Sequence, residues 1–129
     1  TPSIKVDASV NLETIGSVED RFWAVLKQFG PFGPANPTPV FHATDLDVVS
    51  ARTVGSNGSH LKFEVRQRDA SSPDTYDAIG FGMGEKLSVL REGQETGTPV
   101  ELLFSLEENT WNGRTNLQLK ARDVRLERD

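Results

Sequence analysis

No cysteine occurs in these 129 residues, which excludes a disulfide scaffold, a thiol nucleophile and cysteine-ligated zinc. No apolar run approaches the roughly 20 residues of a membrane-spanning helix. The leading stretch TPSIKVDASVNL also lacks the charged-then-apolar layout of a signal peptide. The expectation is a soluble, intracellular chain that contacts no membrane. A net charge of −5 disfavours an indiscriminate nucleic-acid binder. With 36% hydrophobic residues over 129 positions, one compact domain with an adequate core is expected rather than two.

Signs of catalysis are equally sparse. The serines have no histidine and aspartate partners that spacing reveals. GFGMGE, at 80–85, lacks both the Walker lysine and the G-x-G-x-x-G spacing of a phosphate cradle. Its glycines are read instead as flattening a strand surface or easing curvature. Asp45 and Asp47 in HATDLD, close to His42, suggest hard-oxygen metal ligation. Strand alternation puts both on one polar face, and a solvated face is the preferred reading.

What is present is a clear succession of elements. SVEDRFWAVLKQFG has Ser17 and Asp20 in a capping pattern, apolar Phe22, Val25, Leu26 and Phe29 at helical spacing, and Gly30 as a stop. PFGPANPTPVF follows, with four of the chain's seven prolines within nine positions, a stiff joint where the helix must end. The segment from residue 40 to Val54 reads as a long, somewhat irregular strand, and GSNGS as a turn. HLKFEVRQR alternates strictly, with Leu61, Phe63 and Val65 on one face and His60, Lys62, Glu64, Arg66 and Arg68 on the other. In TYDAIGFGMG, Ile79, Phe81 and Met83 share a face while Ala78, Gly80 and Gly82 leave the other nearly bare. EKLSVLREG supplies a short helix closed by Gly93, and VELLFSLEENTW and RTNLQLKARDVRL flank the hairpin dipeptide Asn112-Gly113.

The resulting order, β-β-β-α-β-β, predicts a mostly β fold: a five-stranded OB-fold barrel with a helix between strands 3 and 4. It is preceded by an extended segment and a helix, with residues 1–37 as a lead-in and 38–129 as the barrel. Binding in this fold generally uses the face of strands 2 and 3 and the loops joining strands 1–2 and 4–5.

Charge follows this layout. Residues 52–68 carry a net of +3, 69–108 a net of −7 and 111–128 a net of +3. A two-residue turn at Asn112-Gly113 sets Trp111 opposite Arg114, Asn109 opposite Asn116, Glu107 opposite Gln118 and Ser105 opposite Lys120, all on one face. Leu106, Leu119, Phe104 and Ala121 occupy the other. Trp111 then lies outside the barrel beside Arg114, Lys120 and Arg122, where an indole can stack a base. The other reading is that it packs on Pro99 or the first strand. His60 is read either as a plain surface residue or as a phosphate or base contact.

PFGPANPTPVF, VGSNGSHLKFEV, YDAIGFGMG and FSLEENTWNGRTNLQLKARDVRL, in this order, closely resemble the C-terminal OB-fold domain of the RecJ family, bacterial exonucleases specific for single-stranded DNA. The resemblance runs along essentially the whole chain, its leading segment looking like the connection that follows the family's DHHA1 domain. It implies a bacterial, cytoplasmic parent protein that degrades single-stranded DNA 5′ to 3′ with Mn²⁺ or Mg²⁺ and serves repair and recombination. The family's metal ligands lie in a DHH domain and a neighbouring histidine motif. This sequence has no Asp-His-His, and His42 and His60 are too few and too separated for that centre. The chain itself is therefore expected to be non-catalytic, with no metal or cofactor of its own.

Single-stranded DNA binding is expected through Arg52, His60, Lys62, Arg66, Trp111, Arg114, Lys120 and Arg122, with the charges on phosphates and the indole on a base. Further expected partners are the upstream DHH/DHHA1 core and single-strand-binding protein. The alternative function is a protein-docking barrel that packs on the nuclease core or on another repair protein, because fold alone does not settle function. The alternating apolar residues Ile4, Val6, Ala8, Val10 and Leu12 suit an edge that lies on the barrel, on an adjoining domain or on a second copy.

Overall fold

The computed structural model describes residues 6, 8–12, 39–71 and 73–127, without the side chains of 8, 108–111 and 114–117. The helix read at 17–30 and residues 31–38 of the proline joint read at 31–41 lie outside the described residues.

Alternation of apolar and polar residues builds the strands, because each can bury one face and solvate the other. They are β1 (Ala8–Ser9), β2 (Phe41–Val54), β3 (His60–Gln67), β4 (Tyr76–Gly80), β5 (Val100–Trp111) and β6 (Arg114–Leu126), with α1 (Leu87–Thr96) between β4 and β5. The hydrogen-bonded order is β1-β2-β3-β4-β6-β5, and β2 also pairs with β5. Strands β2 to β6 therefore close a five-stranded barrel in the OB arrangement, with the helix between the third and fourth barrel strands.

The interior is filled by Phe63, Phe104, Leu46, Leu61, Leu90, Leu102, Val65, Val100 and Val124, all essentially inaccessible to solvent. Phe41 and Phe104 meet with ring centroids 6.0 Å apart. Both shared edges of β2 carry the predicted irregularity, as register slips between Ala43 and Leu46 and between Val48 and Ser50. The first slip coincides with Asp45 at φ 58 and leaves Thr44 and Asp45 both exposed; alternation then resumes, with Leu46 buried between Asp45 and Asp47.

Helix α1 corrects the expected boundary. It continues through Gly93 to Thr96, and Gly97 closes it in the left-handed conformation at φ 74. Gly93 has a packing role instead: a Cβ there would lie 3.0 Å from the Thr98 carbonyl oxygen and 3.1 Å from Leu126 Cδ2. The residue lets the helix approach the barrel floor, which a terminator reading does not anticipate.

Residues 8–12 of the lead-in lie on this barrel. Ala8 and Ser9 pair in parallel with Phe41 and His42, and the Val10 amide donates to the His42 carbonyl at 2.8 Å. Leu12 is fully buried in the core, and its amide donates to Gln67 Oε1 at 2.9 Å. Gln67 Nε2 in turn donates to the carbonyls of Thr44 and Asp45 at 2.8 and 3.3 Å. One buried amide side chain thus fastens the segment to the β2 irregularity, satisfying groups that would otherwise be costly to bury.

Candidate nucleic-acid interface

Pairing of the strands decides which basic side chains become neighbours. Arg52 on β2 opposes Lys62 on β3, Lys62 opposes Ile79 on β4, Ile79 opposes Lys120 on β6, and Lys120 opposes Ser105 on β5. Positions separated by as many as 68 residues therefore form one row across the barrel. Arg122 lies two residues beyond Lys120, at a slip where Leu103 opposes Asp123 and Phe104 opposes Ala121. Its guanidinium Nη1 lies 3.4 Å from Ser105 Oγ and donates to it. Arg52, Lys62, Lys120 and Arg122 make no ion pair with any described carboxylate.

Beside this row stands an aromatic side chain that the sequence reading did not single out. Ala78 and Gly80 turn inward and are buried, so Ile79 and Phe81 face outward. Phe81 is 55% exposed. The His60 ring meets it edge-on with centroids 5.5 Å apart, and Lys120 Nζ sits 5.9 Å from the Phe81 centroid, within cation–π range. The Gly82 amide donates to His60 Nδ1 at 3.0 Å. With Nδ1 accepting, the neutral ring carries its proton on Nε2. A flat apolar ring framed by an imidazole and an ammonium group can take a base on its face while the cations take phosphates. The available signal was the small Ala78/Gly80 face, which suits a crowded barrel interior and leaves the larger side chains outside.

Other predicted residues sit elsewhere or in a different state. Arg66 opposes Asp47 and pairs with it at 3.7 Å; Asp47 also holds Arg68 at 2.6 Å. The Asp47 hydrogen bond keeps the Arg68 guanidinium above its ordinary pKa, outweighing the cost of burial. Arg66 therefore stands apart from the unpaired row, two strand positions beyond Glu64. Trp111 and Arg114 oppose one another across Asn112-Gly113, as the hairpin arithmetic requires, with φ of 51 and 75 at the turn. The pairings of Asn109, Glu107 and Ser105 also match. The side chains of Trp111 and Arg114 lie outside the description.

On another side of the barrel, His42 Nε2 contacts Glu101 Oε2 at 3.1 Å, and Arg125 Nε donates to the other Glu101 oxygen. Burial opposes ionisation of Glu101, but hydrogen bonds from Arg125 and His42 outweigh it and hold the carboxyl below its ordinary pKa. Among the described residues, no group of three or more His, Asp or Glu side chains is placed to hold a metal ion. The donors among the described residues do not fit an Mn²⁺ or Mg²⁺ centre. No helix among the described residues is long and apolar enough to cross a membrane.

Comparison with known proteins places this geometry. The family model described as the RecJ OB domain matches residues 6–123. RecJ from Thermus thermophilus in complex with Mn²⁺ is similar at TM-score 0.60 and 23% identity, over 98% of this chain and 16% of that one. The same protein in complex with Mg²⁺ gives TM-score 0.59 and 23% identity, over 88% of this chain and 15% of that one. A weaker similarity, TM-score 0.46 at 17% identity, is to the mitochondrial single-stranded DNA binding protein Rim1 of S. cerevisiae, over 69% of this chain and 93% of that one. No curated protein matches by sequence. The chain spans about one sixth of the RecJ structures it matches.

Proposed function

The chain belongs to the RecJ OB-domain family, and from that premise we propose that it is the single-strand-binding barrel of a RecJ-like 5′-to-3′ exonuclease acting in DNA repair and recombination. In this reading residues 38–129 hold the DNA strand and 1–37 join the barrel to a DHH/DHHA1 nuclease core, which carries the Mn²⁺ or Mg²⁺ and the hydrolytic chemistry. The barrel's task is to hold the strand and direct it to that core in the bacterial cytoplasm. Single-strand-binding protein is a partner of the whole enzyme.

One observation carries the proposal: the exposed Phe81 ring, framed by His60 and Lys120, beside Arg52, Lys62, Lys120 and Arg122, which form no ion pair among the described residues. Cations along the backbone and stacking on a ring tolerate any base, so sequence preference is slight. The hairpin residues Trp111 and Arg114 extend the same surface in this proposal. Arg66 contributes least, because Asp47 competes for its charge.

Titration of the chain with a fluorescent oligo-dT at low and moderate salt tests the reading, with Lys62→Ala/Lys120→Ala alongside. Salt-sensitive binding, weakened in the folded double variant, is the expected result. Absence of binding even at low salt would move the assignment to a protein-docking barrel.

A further inference from the structure

The basic row has a sharp acidic border. Next to the Lys62 position along β3 comes Glu64, which opposes Asp77 on β4, so two carboxylates face outward side by side. Like charges directly opposite are destabilising in a sheet. Neither is relieved: Glu64 accepts hydrogen bonds from Ser50 Oγ and Thr75 Oγ1, each at 3.1 Å, and both donors are neutral. Glu64 forms no ion pair with Lys62 or Arg66, and Asp77 forms none with any described residue. Glu64 is thus held in place by two hydroxyls, with no cation of the described residues paired to it.

Resting on the single-strand reading above, we propose that Glu64 and Asp77 act as a fence that determines specificity, rejecting duplex DNA from the basic row. Residues two apart on a strand are separated by about 7 Å. That is within the roughly 8 Å screening length at physiological ionic strength, so the fence is felt along the Lys62–Lys120 row. A single strand has one line of phosphates, which fits the row, and unpaired bases that can turn toward Phe81 on the side away from the fence. A duplex keeps its bases stacked and carries a second phosphate line, doubling the charge per unit length. That second line must overlie the flanking positions, where Glu64 and Asp77 repel it. Phe81 rewards the single strand and the carboxylates penalise the double one.

Glu64→Gln/Asp77→Asn tests this, since the amides keep the shape: at position 64 the remaining oxygen accepts from one of the Ser50 and Thr75 hydroxyls and the NH2 donates to the other. Affinities of the wild-type and variant chains are measured for a labelled oligo-dT and for a labelled duplex of equal length, with urea unfolding confirming the fold. The variant should bind duplex about tenfold more tightly and the single strand less than about threefold more tightly. Equal gains on both probes, or no gain on duplex, would overturn the fence while leaving single-strand binding intact. A wild-type chain that binds neither probe overturns the binding reading, and the fence with it.

Discussion

Phe81 carries the most informative single test. Its ring is more than half exposed and contacts His60 and Lys120 rather than the core. Phe81→Ala should therefore leave unfolding free energy within about 0.5 kcal/mol of wild type. Oligo-dT affinity should fall by roughly 1–3 kcal/mol, the usual value of a stacked base. A variant that binds oligo-dT as wild type does would remove the ring from the site. Glu101 makes a separate prediction in pH. Its folded pKa lies below the ordinary value of 4.5, so its contribution to stability is complete above that value and is lost as pH falls through the folded pKa. Urea midpoints taken between pH 7 and pH 3 should drop more for wild type than for Glu101→Gln, with the difference confined to the acid end.

Among the elements, α1 is the one whose sequence signal misleads. Glycine to alanine inside a helix ordinarily gains about 1 kcal/mol. At Gly93 the new methyl would meet the Thr98 carbonyl oxygen at 3.0 Å, Leu126 Cδ2 at 3.1 Å and Val100 Cγ1 at 3.3 Å. Overpacking of that kind costs about 1–3 kcal/mol. Gly93→Ala should consequently lower the urea midpoint, and a raised midpoint would mean that the helix and β5 can part without cost. The β5–β6 hairpin behaves in the opposite way, with local chemistry and final structure in agreement. Positive φ at Asn112 and Gly113 suits a two-residue turn, and the turn sets every pairing from Trp111–Arg114 to Phe104–Ala121.

For the whole molecule, net charge and binding charge are different quantities. The chain is acidic, at −5, yet four cations on one face lack carboxylate partners among the described residues. Asp47 takes Arg66 and Arg68, and Glu101 takes Arg125. If each of the four meets one phosphate, log affinity against log salt should have a slope of about −3 for a single strand. Titrations from low to moderate salt measure it. Lys62→Ala should reduce the slope by about 0.7 and Arg66→Ala should leave it nearly unchanged. A slope near zero would contradict phosphate contacts along the row.

The sequence by itself determined the strands, the inward residues of β3, the hairpin register and the barrel class. These follow from alternation and turn chemistry, which act over a few residues: Leu61, Phe63 and Val65 are buried as their spacing requires. Only the tertiary structure decided which charges remain unpaired and which aromatic ring is exposed. Arg66 looks equivalent to Lys62 in sequence, but it opposes Asp47, whereas Lys62 opposes Arg52 and Ile79. Phe81 looks like a core residue until the barrel closes and the small faces of Ala78 and Gly80 are the ones that fit inside. Charge pairing and exposure depend on residues brought together by barrel closure, and no local pattern carries that information.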